Sequence, residues 1–429
     1  MEKYLISYLK NNETNPITKK YIDYLKIELD WYIYNFGNHM SKTHSRKKTK
    51  TVKEKLYTLL QYINATYTQV SSQNVKGNIL SSVNHKDFYN QISNIGYNVY
   101  SSILQPVGRS KIIGDKNIID LIKYKNKSIK NGIFNDLYNS KFFNQIELCR
   151  LNLIKQFSKN NFKALFLYTD QYFESKLLID VFQNIQRPSF IFSHGLPGIY
   201  SLDVDNRSDY LMVWGDKIKE NYIKAGFNSN KILVTGNSKY NHFQIATQLR
   251  NSTEDILIIP KSSVLWHQHE WGNPQLTDRS MIILYLYSVQ QVLMKLGVRS
   301  VRYRPHPAIN SNWVHSFIDP KFYIRDTQNL KDSLNRSTLV IGATSSVIFE
   351  SLMYGVNYIV YEPLVEGKDL LSSNLVPPFD GSDNDIVTTH SEEDLMYAIK
   401  NKCVTNASVI TNYMQPFDIS KIKNIFNHL

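Results

Sequence analysis

The chain has 429 residues, 42% of them hydrophobic and 20% charged, so two or three folded domains are expected and general disorder is excluded. Two cysteines, Cys149 and Cys403, are too few for a disulfide framework or a four-ligand zinc site. No run of about 18 apolar residues and no signal-type leader is seen, so the expectation is a cytoplasmic protein.

The 50 Lys and Arg against 37 Asp and Glu give a net charge of +13. Such a surface attracts polyanions: nucleic acid, anionic lipid or phosphorylated substrates. Compositional drift toward Lys, Asn, Ile and Tyr gives the same balance, so charge alone selects no partner.

Residues 1–75 read as a basic helical extension, with apolar residues at helical spacing from Tyr21 to Leu29. The run Arg46-Lys47-Lys48-Thr49-Lys50 is a candidate contact for a membrane surface or a phosphate-rich partner; a solvated loop is the competing reading. From Asn78 the texture changes. Asn78–Val83 reads as a strand, Asp87–Ile95 as a helix closed by Gly96, and Tyr97–Leu104 as a second strand. A Lys- and Asn-rich helical stretch follows to about Asn161. The apolar runs Ala164–Tyr168 and Ser189–Ser193 flank a helix from Phe173 to Ile185.

The alternation then repeats. Tyr210–Trp214, Lys231–Thr235, Asp255–Ile259, Ser300–Arg304, Leu339–Ile341 and Tyr358–Tyr361 read as strands, with helices at Asp216–Ala225, Met281–Leu296 and Ser345–Tyr354. The expected organisation is one α/β domain at 76–205 and a second at 206–390. Residues 391–429 are expected to be C-terminal helices that cross back to the first domain. Parallel sheets of this kind bind ligands at the C-terminal ends of their strands.

The chemistry-bearing residues collect at those strand exits. Ser193-His194-Gly195-Leu196-Pro197-Gly198 places His194 where a neutral imidazole can take a proton near pH 7. Arg302-Tyr303-Arg304-Pro305-His306-Pro307 fixes His306 between prolines and offers the planar fork of Arg304 to a phosphate. Gly342-Ala343-Thr344-Ser345-Ser346 leads into a helix start where backbone N–H groups and the hydroxyls of Ser345 and Ser346 favour an anion; Glu350, one turn on, is a ribose candidate. Ordinary capping explains the same serines. Asp170 ends the strand before His194, as a base, an orienter of His194 or a cap. His85 is a weaker candidate of the same kind. His267 and His269 form a conceivable metal pair with no third ligand close in sequence, so no metal site is expected. No Walker loop, dinucleotide fingerprint or nucleophile elbow is present.

The order His194-Gly195, then Asp209-Tyr210-Leu211-Met212-Val213-Trp214-Gly215, Val234-Thr235-Gly236-Asn237, Arg304-Pro305-His306-Pro307 and Ser345–Glu350 resembles the GT-B-fold transferases of bacterial surface polysaccharides. Two groups share these marks: capsule and lipopolysaccharide glycosyltransferases, including those using CMP-activated ulosonic acids, and CDP-glycerol or CDP-ribitol phosphotransferases. The resemblance spans roughly residues 160–370. It implies two Rossmann-like domains facing across a cleft, behind a helical N-terminal extension. It further implies that His306, Ser345 and Ser346 meet the donor phosphate and that Glu350 lies near the ribose. The acceptor base is His194 in the phosphotransferase pattern and Asp170 in the sialyltransferase-like one. Ala343-Thr344 stands where the phosphotransferases carry an acidic residue and Tyr, and the acidic-acidic-Gly motif of the sialyltransferases is not evident.

The resulting expectation is a metal-independent, cofactor-free glycosyltransferase using a nucleotide-sugar donor, CMP-linked first and UDP-linked second. Its acceptor is a growing surface glycan or a lipid-linked glycan, and it touches the anionic inner face of the membrane peripherally. The alternatives are polyol-phosphate transfer and a basic non-catalytic nucleic-acid-binding protein. The last is disfavoured because aromatic residues sit in apolar runs rather than among Arg and Lys.

Overall fold

The computed structural model describes residues 2–29, 52–71, 75–108, 110–131, 134–193, 195–237, 240–241, 246, 248–260, 280–305, 312–365, 368–369 and 375–427. The run Arg46–Lys50 and the residues His194, His267, His269 and His306 lie outside them.

The extension begins with α1 (Glu2–Asn12) and α2 (Pro16–Tyr21). Pro16 opens α2, and the Asn15 side chain accepts from the N–H groups of Ile17 and Thr18, a standard start signal. Helix α3 (Val52–Tyr67) follows. The extension packs on the first α/β unit. Tyr21, Ile22, Leu25 and Leu29 are buried in its core, and the Lys125 ammonium donates to Glu28 Oε1 at 3.2 Å.

The first sheet contains β1 (Gly77–Ser81), β2 (Tyr97–Ser102), β3 (Lys111–Ile113), β4 (Phe162–Leu167), β5 (Ser189–Phe192), β6 (Tyr210–Val213) and β7 (Ile232–Val234). All seven are parallel, in the order β3-β2-β1-β4-β5-β6-β7. Its helices are α4 (Lys86–Asn94), α5 (Lys116–Asn131), α6 (Phe134–Leu137), α7 (Ser140–Lys159), α8 (Phe173–Asn184) and α9 (Asp216–Lys224). Central strands such as β4 read as unbroken apolar runs because both faces are covered.

The second sheet contains β8 (Ile256–Ile259), β9 (Val301–Tyr303), β10 (Tyr323–Arg325), β11 (Leu339–Gly342) and β12 (Tyr358–Tyr361). A short hairpin of β13 (Leu364–Val365) and β14 (Lys368–Asp369) precedes its last strand, β15 (Thr388–Thr389). The parallel order is β10-β9-β8-β11-β12-β15. Its helices are α10 (Ser280–Lys295), α11 (Leu330–Arg336), α12 (Val347–Met353) and α13 (Glu392–Lys400), followed by α14 (Val409–Tyr413) and α15 (Ser420–Asn427). Among the described residues no helix is long and apolar enough to cross a membrane.

The two-sheet α/β architecture is the one expected, but the division at 205/206 falls inside the first sheet. β6 pairs with β5 and β7 with β6, so residues 210–234 belong to the first unit. The expected helical stretch from 105 to 161 also contains β3, an edge strand of three residues.

After α14 the chain returns to the first sheet. Gln415 N–H donates to Trp214 O at 2.8 Å, Asn237 N–H to Gln415 O at 3.0 Å, and Asp418 N–H to Thr235 O at 2.8 Å. Two glycines make room. A Cβ at Gly215 would sit inside the backbone of Tyr413, and one at Gly236, where φ is +76°, would strike Pro416 O. Beyond this crossing, Phe417, Ile422 and Phe426 cover the face formed by Phe88, Phe166, Phe190 and Phe192.

Candidate active site

Each sheet has one point where consecutive strands leave in opposite directions, and the crevice beyond the strand ends there is the usual ligand position. In the second sheet it lies between β8 and β11. The exit of β11 carries Gly342–Ser346, which places Ser345 and Ser346 at that crevice. Gly342 is glycine for a structural reason: a Cβ would overlap the Tyr358 hydroxyl, which donates to Ala343 O at 2.7 Å. Thr344 N–H donates to Glu362 Oε1 at 2.6 Å, which pins the turn. Ser345 Oγ accepts from Val347 N–H at 3.2 Å, whereas the Ser346 side chain makes no capping bond. Helix α12 is only seven residues long, so the two hydroxyls carry more of an anion-binding argument than the helix dipole does.

Arg304 leaves β9, two strands from β11. Its Nη1 donates to Gln328 O at 2.6 Å, Ser333 Oγ at 3.2 Å and Asp326 Oδ1 at 3.4 Å. This arginine, expected on a phosphate, is thus held at one nitrogen by a protein network. Asp326 is the centre of that network; its side chain is 1% exposed and also accepts from Arg302 Nη1 at 2.7 Å. Arg302 further donates to Asp255 Oδ1 at 2.6 Å and Ser337 Oγ at 2.7 Å. A cavity of about 330 Å³ opens beside this network, lined by Glu254, Asp255 and Ser300 where the chain enters β8 and β9 and by Asp326, Thr327 and Gln328 just past β10.

Glu350, expected at a ribose, lies buried on α12 and accepts from the Tyr240 hydroxyl at 3.3 Å. Tyr240 follows β7 and packs edge-on to Trp214, with ring centroids 5.9 Å apart. Burial, and next the Glu350 charge, push the Tyr240 phenol far above its ordinary range. This contact joins the two units, as does Tyr200 Oη donating to Pro377 O at 3.3 Å.

In the first sheet the turning point lies between β1 and β4. Asp170, after β4, is fully buried at 0% exposure. Its Oδ1 accepts from Asp205 N–H at 3.1 Å and its Oδ2 from Arg207 N–H at 2.8 Å; the Gln171 amide donates to Oδ1 at 2.5 Å. This carboxylate, a candidate base, ties down the loop at 205–207. Asp205 is itself notable. It sits at φ +57°, accepts from the Tyr222 hydroxyl at 2.9 Å, and is pushed up to about 7 by burial and then by the neighbouring Asp170 charge.

His85 precedes α4 at the exit of β1. Its ring lies 6.1 Å from that of Tyr168 and 5.6 Å from that of Phe192. Tyr168 Oη accepts from Asn84 N–H at 2.8 Å, and burial raises its pKa. Thus His85 and Tyr168 share the strand exits next to the end of β5 at Phe192. Tyr168 went unnoticed in the sequence because it ends an apolar run and reads as core.

No protein-family model and no curated protein matches the chain. Solved structures with a similar path include a putative UDP-N-acetylglucosamine 2-epimerase from Listeria monocytogenes (12% identity, TM-score 0.47, 83% of this chain and 98% of that one). The apo form of the lipopolysaccharide outer core galactosyltransferase WaaB has 12% identity and a TM-score of 0.44, over 82% of this chain and 99% of that one. A variant of the wall teichoic acid polymerase TagF has 11% identity and a TM-score of 0.38, over 94% of this chain and 96% of that one.

Proposed function

We propose that the chain is a metal-independent GT-B glycosyltransferase that moves a sugar from a nucleotide donor to a bacterial surface glycan. The donor is CMP-linked by preference and UDP-linked otherwise, and the acceptor is free or lipid-linked glycan. The observation that carries this reading is the position of Ser345 and Ser346 at the turning point of the second sheet, with Arg304 leaving a strand of the same sheet.

In this reading the acceptor hydroxyl oxygen attacks the anomeric carbon, and His194 takes the hydroxyl proton. The bond from the anomeric carbon to the donor phosphate oxygen breaks, and the electron pair leaves with the nucleotide. Ser345, Ser346, His306 and the remaining nitrogens of Arg304 stabilise that developing charge. Asp170 holds the loop after His194.

One observation favours polyol-phosphate transfer from a CDP-polyol as the second reading. Asp170, the acidic base of the sialyltransferase-like pattern, is buried and bonded to backbone N–H groups, which supports His194, the base of the phosphotransferase pattern.

A thermal-shift panel of CMP, CDP, UMP, UDP and GDP tests the donor half, since a ligand that binds only the folded state raises its Tm. The His306→Ala variant is expected to lose about 10²–10³ in turnover with folding retained. Full activity in that variant, or a panel with no shift at all, would sink the assignment. Incubation with CMP-, UDP- and CDP-linked donors separates the two chemistries: CMP or UDP freed from a nucleotide sugar with the sugar on the acceptor is sugar transfer, whereas CMP freed from a CDP-polyol with the polyol phosphate on the acceptor is polyol-phosphate transfer.

A further inference from the structure

Helix α3 is amphipathic the wrong way round for a core helix. Ala65 is buried on the side that packs on β3. At 100° per residue, Leu56, Leu59, Leu60, Ile63 and Tyr67 fall within an arc of about 100° on the opposite side. Together with Tyr57 at its edge, these residues are 44–79% exposed. Such a stripe on a soluble surface marks an interaction site.

Charge indicates what covers it. The backbone places Lys53 and Lys55 at helix positions on either side of the stripe. Lys111, at the start of the strand under α3, is exposed. The Lys123 ammonium lies 5.3 Å from the Tyr62 ring on α3 itself. In sequence, residues 42–55 hold seven Lys or Arg against one Glu. The eleven residues directly before the helix, 41–51, contain no aliphatic, Phe, Tyr or Trp side chain, so they offer nothing apolar to lay on the stripe. Six side chains are also far fewer than the about 20–30 residues a side of a stable protein interface.

We propose that α3 is an in-plane membrane anchor that sinks its Leu56–Leu59–Leu60–Ile63–Tyr67 face into the headgroup boundary of an anionic bilayer. Its 16 residues span about 24 Å, a length suited to lying in the interface. An apolar face flanked by lysine positions combines buried apolar area with attraction to anionic lipid, the two contributions to in-plane binding. This inference does not rest on the transferase reading, because vesicle binding is measured without donor or acceptor.

The test is sedimentation of the full chain with vesicles of phosphatidylcholine alone or with 30% (roughly, a common anionic fraction) phosphatidylglycerol. Binding to the anionic vesicles is expected, weakening as salt rises. The double variant Leu60→Glu/Ile63→Glu should lower the partition coefficient at least about tenfold. Its Tm and its nucleotide-induced Tm shift should be unchanged, since both side chains face outward. Three results would overturn the proposal: no binding to anionic vesicles, binding indifferent to the double variant, or a dimer in solution that this variant dissociates. A second variant, Leu56→Ser/Leu60→Ser, should weaken vesicle binding in the same direction without adding charge.

Discussion

The indole N–H of Trp214 donates to the carbonyl of Ser193 at 2.7 Å, so the exit of β6 fixes the residue immediately before His194. Ser193 N–H in turn donates to Met212 O at 3.1 Å. The ends of β5 and β6 are thus tied together at Ser193 and Trp214.

Trp214→Phe keeps most of the packing and deletes that bond. The expected outcome is a stability loss of about 1 kcal/mol, read from urea unfolding. Turnover should fall about 10–100-fold, because small misplacements of a reacting group are costly. The nucleotide Tm shift should stay as it was. Loss of the shift instead would separate Trp214 from the His194 side of the site.

Asp205 gives the chain a defined pH response. Its folded pKa of about 7 lies above the ordinary value of 3.8, so between those pH values the folded state binds the extra proton. Its contribution is therefore fully present below pH 3.8 and is lost as pH rises through about 7. Asp205→Asn keeps a residue that tolerates the left-handed conformation and cannot ionise. Urea midpoints at pH 5 and pH 8 should show the variant gaining on the parent at the higher pH. A parallel dependence in both proteins would remove Asp205 as the cause.

Gly236→Ala adds a methyl group against Pro416 O at a backbone conformation alanine disfavours. A loss of about 2–4 kcal/mol is expected from overlap and strain together. Limited proteolysis provides the specific readout: cleavage should increase within 409–427, the segment that docks on β6 and β7, before it increases elsewhere.

Arg302 and Arg304 should separate cleanly. Arg302→Met leaves the buried Asp326 carboxylate with the Ser333 hydroxyl, the Gln328 N–H and one long cationic contact to Arg304, and should cost about 3–5 kcal/mol. Arg304→Ala leaves the shorter Arg302–Asp326 pair intact. It should fold, and it should lose most of the nucleotide-induced Tm shift. An Arg304→Ala protein that binds nucleotide normally would confine Arg304 to structure.

The alternation of β8, β11 and β12 with their helices was legible because each strand is an apolar run ended by Pro, Gly or Glu at its exit. The membership of β6 and β7 was not. A run such as Tyr210–Val213 looks the same whichever sheet it joins, and pairing is decided by partners about twenty residues away. The serines at 345 and 346 were legible from their place after Gly342. The environment of Asp170 was not legible for a different reason: two of its partners are backbone N–H groups 35 and 37 residues along the chain, which no local motif announces. Asp326 and Tyr240 are lone polar residues whose meaning arises only when Arg302 and Glu350 reach them.

The return of residues 415–427 to the first sheet sets an order on synthesis. Phe417, Ile422 and Phe426 close an aromatic face built from residues 88–192, yet they are translated after the whole second sheet. While a ribosome is adding the last strands and helices, the face of Phe88, Phe166 and Phe190 stands open beside already paired β-strands. The nascent protein therefore carries a sticky surface for more than two hundred codons, and chaperone capture should be heaviest in that interval.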